Sequence, residues 1–269
     1  MASLSTTTPI VLSLSSHDPS GSSGIQADIE ACISLGCHCT PVISALCARD
    51  TRELKDIQAV DALLLVEQVR AILEDMPVDV IKLGFIASAA HAEAMYTILQ
   101  DYPNIPLILD PVTHLGSNQP SDNPSLVDVI KTLLLPRALL ATPDLVEARE
   151  LAPQGDTLDA CAQEILHSGC EHLLITGTRR DQFHLDNTLY NAQGVIRHYR
   201  WDRINAFSHG CGATLSAAIS AYLAHGLSLM DAVEQGQTFT WRALHASRRL
   251  GSGRCVPNRL YWAERDNLH

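Results

Sequence analysis

The sequence is poor in charge and in aromatic rings: Asp, Glu, Lys and Arg make up 18% of its 269 residues, and Phe, Trp and Tyr only 5%. Set against 46% apolar residues, so little charge excludes a disordered chain, which would have too little apolar surface to bury. Basic side chains are the scarcer sign, 19 against 30 acidic ones, for a formal net charge of −11. The chain therefore lacks the positive field on which nucleic-acid or anionic-membrane binding depends. A phosphate ligand is not excluded, because backbone amides and Mg²⁺ can supply a positive field locally. No apolar run approaches the ~20 residues of a membrane span. The residues before Ile10-Val11-Leu12 hold no basic side chain, and that run is too short for a signal peptide. A reducing cytoplasm is the expected compartment. Two nucleotide signatures are missing as well. The stretch Ser16-His17-Asp18-Pro19-Ser20-Gly21-Ser22-Ser23-Gly24 lacks the spacing of a dinucleotide fingerprint and that of a Walker phosphate loop.

Cysteine is not scarce. Cys32, Cys37, Cys39 and Cys47 crowd among apolar residues, with Cys161, Cys170, Cys211 and Cys255 further on. Cys37-His38-Cys39 suggests a metal, but no second ligand pair stands at zinc-site spacing. The favoured reading is that these thiols act as small core hydrophobes.

Short apolar runs alternate with amphipathic stretches. Strands are expected at 10–15, 39–47, 78–83, 107–109, 138–142 and 172–176, with two further β segments near 188–190 and 194–199. Helices are expected at 24–35, 60–73, 89–99, 126–134, 145–151, 158–167, 213–225 and 229–250. This alternation implies an α/β fold, one domain over 1–269 with its core at about 10–250, built on a mainly parallel sheet with helices on both faces. Ligands of such sheets collect at the carboxyl ends of the strands. Asp18, Asp110 and Asp144 all follow expected strands there. The segment 116–123 is a candidate mobile loop over the site.

The most informative stretch is His209-Gly210-Cys211-Gly212-Ala213-Thr214, which runs directly into an apolar helix-forming run. Such a turn points backbone N–H groups at one spot, at the positive end of a helix dipole, and so forms an anion site. A packing turn without ligand is the competing reading. Asp110, Asp144 and Glu147 are the candidate carboxylates. Asp144 is equally placed to cap the following helix, and Glu147 to sit in its first turn as a solvated acid. Mg²⁺ on nucleotide phosphates needs only one or two carboxylates.

In their order and spacing these motifs resemble the hydroxymethylpyrimidine/phosphomethylpyrimidine kinases of thiamine biosynthesis. The resemblance is carried by the segment from Ser16 to Asp28, by Ile43-Ser44-Ala45-Leu46, Lys82-Leu83-Gly84 and Leu109-Asp110-Pro111-Val112, and by Thr142-Pro143-Asp144-Leu145-Val146-Glu147-Ala148. The glycine turn and Gly226-Leu227-Ser228-Leu229 complete the series, which spans about residues 10–250. It implies a ribokinase-like three-layer sandwich, a homodimer, and ATP and Mg²⁺ acting on the hydroxymethyl group or monophosphate of an aminopyrimidine. Carried over, Asp18, Gly24, Arg49 and Phe85 would meet the acceptor. Asp144, Thr176 and Gly177 would meet the nucleotide, Asp110 and Glu147 would hold the metal, and Gly210, Cys211, Gly212 and Ala213 would form the catalytic turn.

The departures from the family pattern are equally specific. Ala213 stands where the family has its presumed cysteine base, and Cys211 offers a thiol two positions early. At a helix N-terminus its pKa is expected to fall, though a filler role is the plainer one. Arg49 replaces a glutamine, Phe85 a methionine, Thr176 a lysine and Asp144 an asparagine, while 250–254 lacks a histidine. A buried arginine needs an anionic or stacked partner. Either the acceptor carries a carboxylate or phosphate, or Arg49 pairs with Asp50 or another local acid. Losing a general base forfeits about 10²–10⁴-fold in rate, so a slow kinase is expected. The alternatives are a non-catalytic pyrimidine-binding paralogue and a kinase for another vitamin-like alcohol such as pyridoxal.

Overall fold

Leu107, Ile108 and Leu109 form a strand, β5 (Leu107–Leu109), with no residue more than 2% exposed. Side chains alternate across a strand, so its two leucines enter one apolar cluster and its isoleucine another. A three-residue strand buried on both faces requires helices above and below. This computed structural model describes residues 8–113, 124–204 and 208–264. Ahead of β5 lie β1 (Ile10–His17), α1 (Gly24–Ser34), β2 (His38–Arg49), β3 (Leu54–Ala59), α2 (Ala62–Asp75), β4 (Val80–Leu83) and α3 (Ala89–Asp101). After it come α4 (Pro124–Val129), β6 (Leu140–Ala141), α5 (Leu145–Leu151), α6 (Leu158–His167), β7 (His172–Arg180), β8 (His184–Asn191), β9 (Gly194–Asp202), α7 (Cys211–Ala224) and α8 (Leu229–His245).

The strands form one sheet in the order β3-β2-β1-β4-β5-β6-β7-β8-β9. Its central pairs, from β2 to β7, are parallel; β3 at one edge and β8 and β9 at the other are antiparallel. On one face Leu12, Ile81, Leu107 and Leu173 pack with Leu65 and Val69 of α2, Met95 and Ile98 of α3 and Ile165 of α6. On the other, Val80, Ile108 and Leu174 meet Leu215 and Ile219 of α7 and Val233 of α8. The expected α/β sandwich with helices on both faces is therefore observed.

Several boundaries differ from the sequence reading, for physical reasons. The strand β3 was not expected: nearly all its residues are exposed, Lys55 and Asp56 among them, so no apolar alternation marks it. Charges on an edge strand keep it from pairing with other chains. The helix expected at 60–73 starts at Ala62, where the Asp61 carboxylate accepts from the N–H groups of Leu63 and Leu64. The helix expected at 126–134 is α-helical only to Val129 and widens into a π-turn over Ile130–Leu134. The helix expected at 229–250 ends at His245, and Arg248 instead exchanges backbone hydrogen bonds with Val256. Cys32, Cys37 and Cys39 pack with Val11 and Ala221 in an apolar cluster, as the hydrophobe reading expects. The segment 116–123 lies outside the described residues. No helix among them is long and apolar enough to cross a membrane.

Candidate active site

Helix α7 starts at the sheet's carboxyl edge with Gly210, at φ +90°, as its N-cap, a residue with no side chain to cap the first turn. A Cβ on Gly210 would collide with the Ser22 carbonyl, so only glycine permits this approach. One residue into the helix, Gly212 is exposed and lies beside Asp110: a Cβ there would sit 3.8 Å from Asp110 Oδ1. Ser216 Oγ donates to Asp110 Oδ2 (3.1 Å) and lies 3.0 Å from the Gly212 carbonyl, tying the first turn to the end of β5. Cys211 and Ala213 are partly exposed on this turn. The turn from Gly210 to Ala213, at the positive end of a 14-residue helix, and Asp110 are thus brought together, with Gly212 exposed.

Asp110 is 3% exposed, and burial pushes its carboxyl up to about 6, against the pull of Lys82 and Ser216. Asp144 and Glu147 form a reciprocal capping box at the start of α5. Asp144 Oδ1 accepts from the N–H groups of Val146 and Glu147, and Glu147 Oε2 from that of Asp144 at 2.8 Å. The capping role expected for Asp144 is therefore real, whereas Glu147 sits in the first turn as a largely buried acid and not a solvated one. Glu147 also faces the site. Burial raises its pKa well above the usual carboxylate range, with Asp110 and Asp144 adding to the rise and the Asp144 and Thr113 N–H groups opposing it. Thr176 lies alongside Asp144 in a parallel bridge, donating its N–H to the Pro143 carbonyl at 3.0 Å. The Gly177 N–H is already donated to Asn187 Oδ1 at 2.9 Å.

The loop after β1 is organised by Asp18. Its buried carboxylate accepts from Ser20 N and Oγ on one oxygen and from Ser23 N and Oγ on the other, at 2.7–3.1 Å. Gly24, at φ +63°, folds this loop back against the Ser16 carbonyl. Ser23 Oγ also meets His209 Nε2 at 3.1 Å. Burial, then Arg49, lowers the His209 pKa to about 4. The Arg49 side chain is only 7% exposed, with its Nε 3.8 Å from Asp18 Oδ1. The pairing with Asp50 does not form; Lys55 takes that carboxylate at 3.1 Å. Phe85 stands just past β4, its N–H directed at Ser15 Oγ and its carbonyl accepting from Ser44 Oγ.

Sequence reasoning missed three supports of this arrangement. The fully buried Lys82 donates to both Asp28 oxygens at 2.9 Å beneath the site. Burial alone would depress its ammonium, but Asp28 and Asp110 outweigh that and hold its pKa above the ordinary value. A lysine inside the wholly buried strand Val80–Leu83 was the available signal. His209 was quoted only as the start of the glycine turn. Arg259, 1% exposed, reaches Thr214 Oγ1, Glu30 Oε2 and the carbonyls of Gly21 and Ser22, pinning α7 to the Asp18 loop.

The family model described as phosphomethylpyrimidine kinase matches residues 18–258. The chain belongs to the phosphomethylpyrimidine kinase family. A hydroxymethylpyrimidine/phosphomethylpyrimidine kinase of Mycobacterium bovis is 33% identical over 256 residues, covering 92% of each protein. A solved phosphomethylpyrimidine kinase from Clostridium difficile shares the fold at a TM-score of 0.75 and 26% identity, over 87% of this chain and 99% of that one. A pyridoxal kinase from Staphylococcus aureus in complex with AMP-PCP superposes at 0.87 over 96% of both chains, with 23% identity; that likeness is one of fold. Other relatives of this family member are longer. The chain spans about half of the bifunctional thiamine enzymes of rice (46%) and Geobacter sulfurreducens (53%).

Proposed function

We propose that this chain transfers the γ-phosphate of ATP to an aminopyrimidine, at its hydroxymethyl group or at the monophosphate already formed there. The observation that carries the reading is the glycine-capped N-terminus of α7, open at Gly212 and set against the buried Asp110. Phosphoryl transfer passes through a loose transition state, so positioned dipoles do most of the work. Amides in the 210–213 turn face the migrating group. Asp144 and Thr176 line the nucleotide side, and the Asp18 loop with Gly24, Arg49 and Phe85 lines the acceptor side. The Gly177 N–H, taken by Asn187, contributes through backbone shape. Ala213 carries no proton acceptor, and Cys211 lies on the same turn. Transfer here therefore rests on positioning and charge stabilisation, and turnover is slow.

Asp110 and Glu147 suit Mg²⁺ held on the nucleotide. Burial and mutual repulsion push both carboxyls toward protonation, a strain that a divalent cation relieves. The neighbouring Thr113 and Thr142 hydroxyls are buried with no hydrogen-bond partner among the described residues. Among the described residues no trio of ligands could hold a metal alone, and a nucleotide-borne Mg²⁺ asks for one or two. Bound there, the ion would neutralise phosphate charge. A homodimer is what the family resemblance implies, and the single nine-stranded sheet supports a single-domain kinase.

The test is ADP release from MgATP with a panel of hydroxymethyl-aminopyrimidines and pyridoxal. Release that requires both Mg²⁺ and a pyrimidine is expected. Tight pyrimidine binding without turnover would favour the non-catalytic paralogue, and turnover of pyridoxal alone would replace the acceptor.

A further inference from the structure

One nitrogen of the Arg49 guanidinium, Nε, is buried without a hydrogen-bond partner among the described residues. The one ion pair it makes among the described residues is to Asp18, at 3.8 Å, beyond hydrogen-bond range. Asp18 has nothing left to offer. A carboxylate presents about four lone-pair sites, and the N–H and hydroxyl groups of Ser20 and Ser23 fill them. Asp50, next in sequence, is occupied by Lys55 and by the N–H groups of Arg52 and Glu53. The guanidinium thus has donors to spare for an anion from outside the chain.

Space for that anion is present. Arg49 lines an open cleft of about 600 Å³ together with Ser20, Asp50, Thr51, Arg52, Leu250 and Ser252, where Lys55 pairs with the Asp50 carboxylate. The far wall is rigidly built. Gly253 donates its N–H to Thr51 Oγ1 at 3.0 Å, Arg254 donates its N–H to the Thr51 carbonyl at 2.8 Å, and a Cβ on Gly251 or Gly253 would strike Thr51. Around this corner Arg49, Arg254 and Arg259 all act on His209 as positive charges. Asp18 opposes them there, and Arg259 is already paired with Glu30 at 2.9 Å.

We propose that the acceptor carries its own oxyanion, a carboxylate or phosphate distinct from the group being phosphorylated, and that Arg49 in this cleft selects for it. The inference rests on the kinase reading above and names the substrate class of that site. Guanidinium geometry suits two-point contact with either oxyanion. Arg52 lies along the same cleft.

The test measures Kd by calorimetry and ADP release from MgATP for three ligands: a neutral hydroxymethyl-aminopyrimidine, the same ring bearing a carboxylate, and the same ring bearing a phosphonate. The wild-type chain is expected to bind at least one anionic ligand about tenfold or more tighter than the neutral one, about 1.4 kcal/mol. Whichever anion wins identifies the source of the charge. Arg49→Gln is expected to erase the preference and Arg49→Lys to keep part of it. Equal Kd values for neutral and anionic ligands on the wild type, which needs no variant to fold, overturn the inference. So does an anion preference that survives in Arg49→Gln. Failure of the kinase reading looks different: Arg49-dependent anion binding with no ADP release leaves the cleft assignment intact, while ADP release with indifferent binding does the reverse.

Discussion

His209 shows how a single side chain is tuned by its surroundings. It sits between the Ser23 hydroxyl and the arginines of the acceptor corner, where burial and positive neighbours keep it neutral, with only Asp18 pulling the other way. Its folded pKa of about 4 lies below the ordinary 6.5, so the unfolded chain takes up the proton first as pH falls. Stability is therefore lost between pH 6.5 and 4. Thermal melts across that window should fall more steeply for the wild type than for His209→Gln; parallel curves would contradict the buried neutral imidazole. Legibility at this scale was mixed. Asp144 was readable as a helix cap, and the structure has it, but the reciprocal bond from Glu147 and the field it feels from Asp110 across the strand ends depend on the fold. Arg49 was readable as a residue in need of an anion. That Asp18 is its nearest acid, and is already saturated, depends on how the loop folds.

At the scale of elements, the parallel strands were legible because each is a short apolar run closed by a polar residue. The edge strand β3 was not, because exposure frees it from any apolar pattern. The contact between α1 and β4 was likewise hidden, since the Lys82–Asp28 pair joins positions 54 residues apart that only the sheet order brings together. That pair is completely buried, and Ser13 donates to the same Asp28 carboxylate at 2.7 Å. Removing one partner strands a charge, so Lys82→Met or Asp28→Asn should each destabilise the fold by about 3–5 kcal/mol. The double replacement Lys82→Met with Asp28→Leu should recover much of that loss, because a buried ion pair exchanged for apolar side chains is often close to neutral. Urea unfolding of the three variants checks this; single losses below about 1 kcal/mol would mean that water reaches the pair.

Across the whole molecule, the site is assembled from distant parts of the chain. The end of β1 supplies the Asp18 loop, β5 supplies Asp110, α5 supplies Glu147, and α7 supplies the glycine turn. Arg259, near the far end of the described chain, locks the loop to the helix. Sequence order alone exposed the motifs but not this closing arginine, which lies beyond the last expected helix. The central claim is that the α7 turn facing Asp110 stabilises a migrating phosphoryl group, and one substitution addresses it without disturbing the fold. In Gly212→Ala the added methyl would lie 3.8 Å from Asp110, an ordinary contact, whereas Gly210→Ala would clash and strain the backbone. The decisive measurement is mass-spectrometric yield of phosphorylated aminopyrimidine from MgATP, with melting temperature recorded alongside. The account predicts wild-type product and a loss of about 10²-fold in Gly212→Ala, whose methyl misplaces the migrating group while the amides remain, at unchanged melting temperature. Equal yields from the two proteins would contradict it.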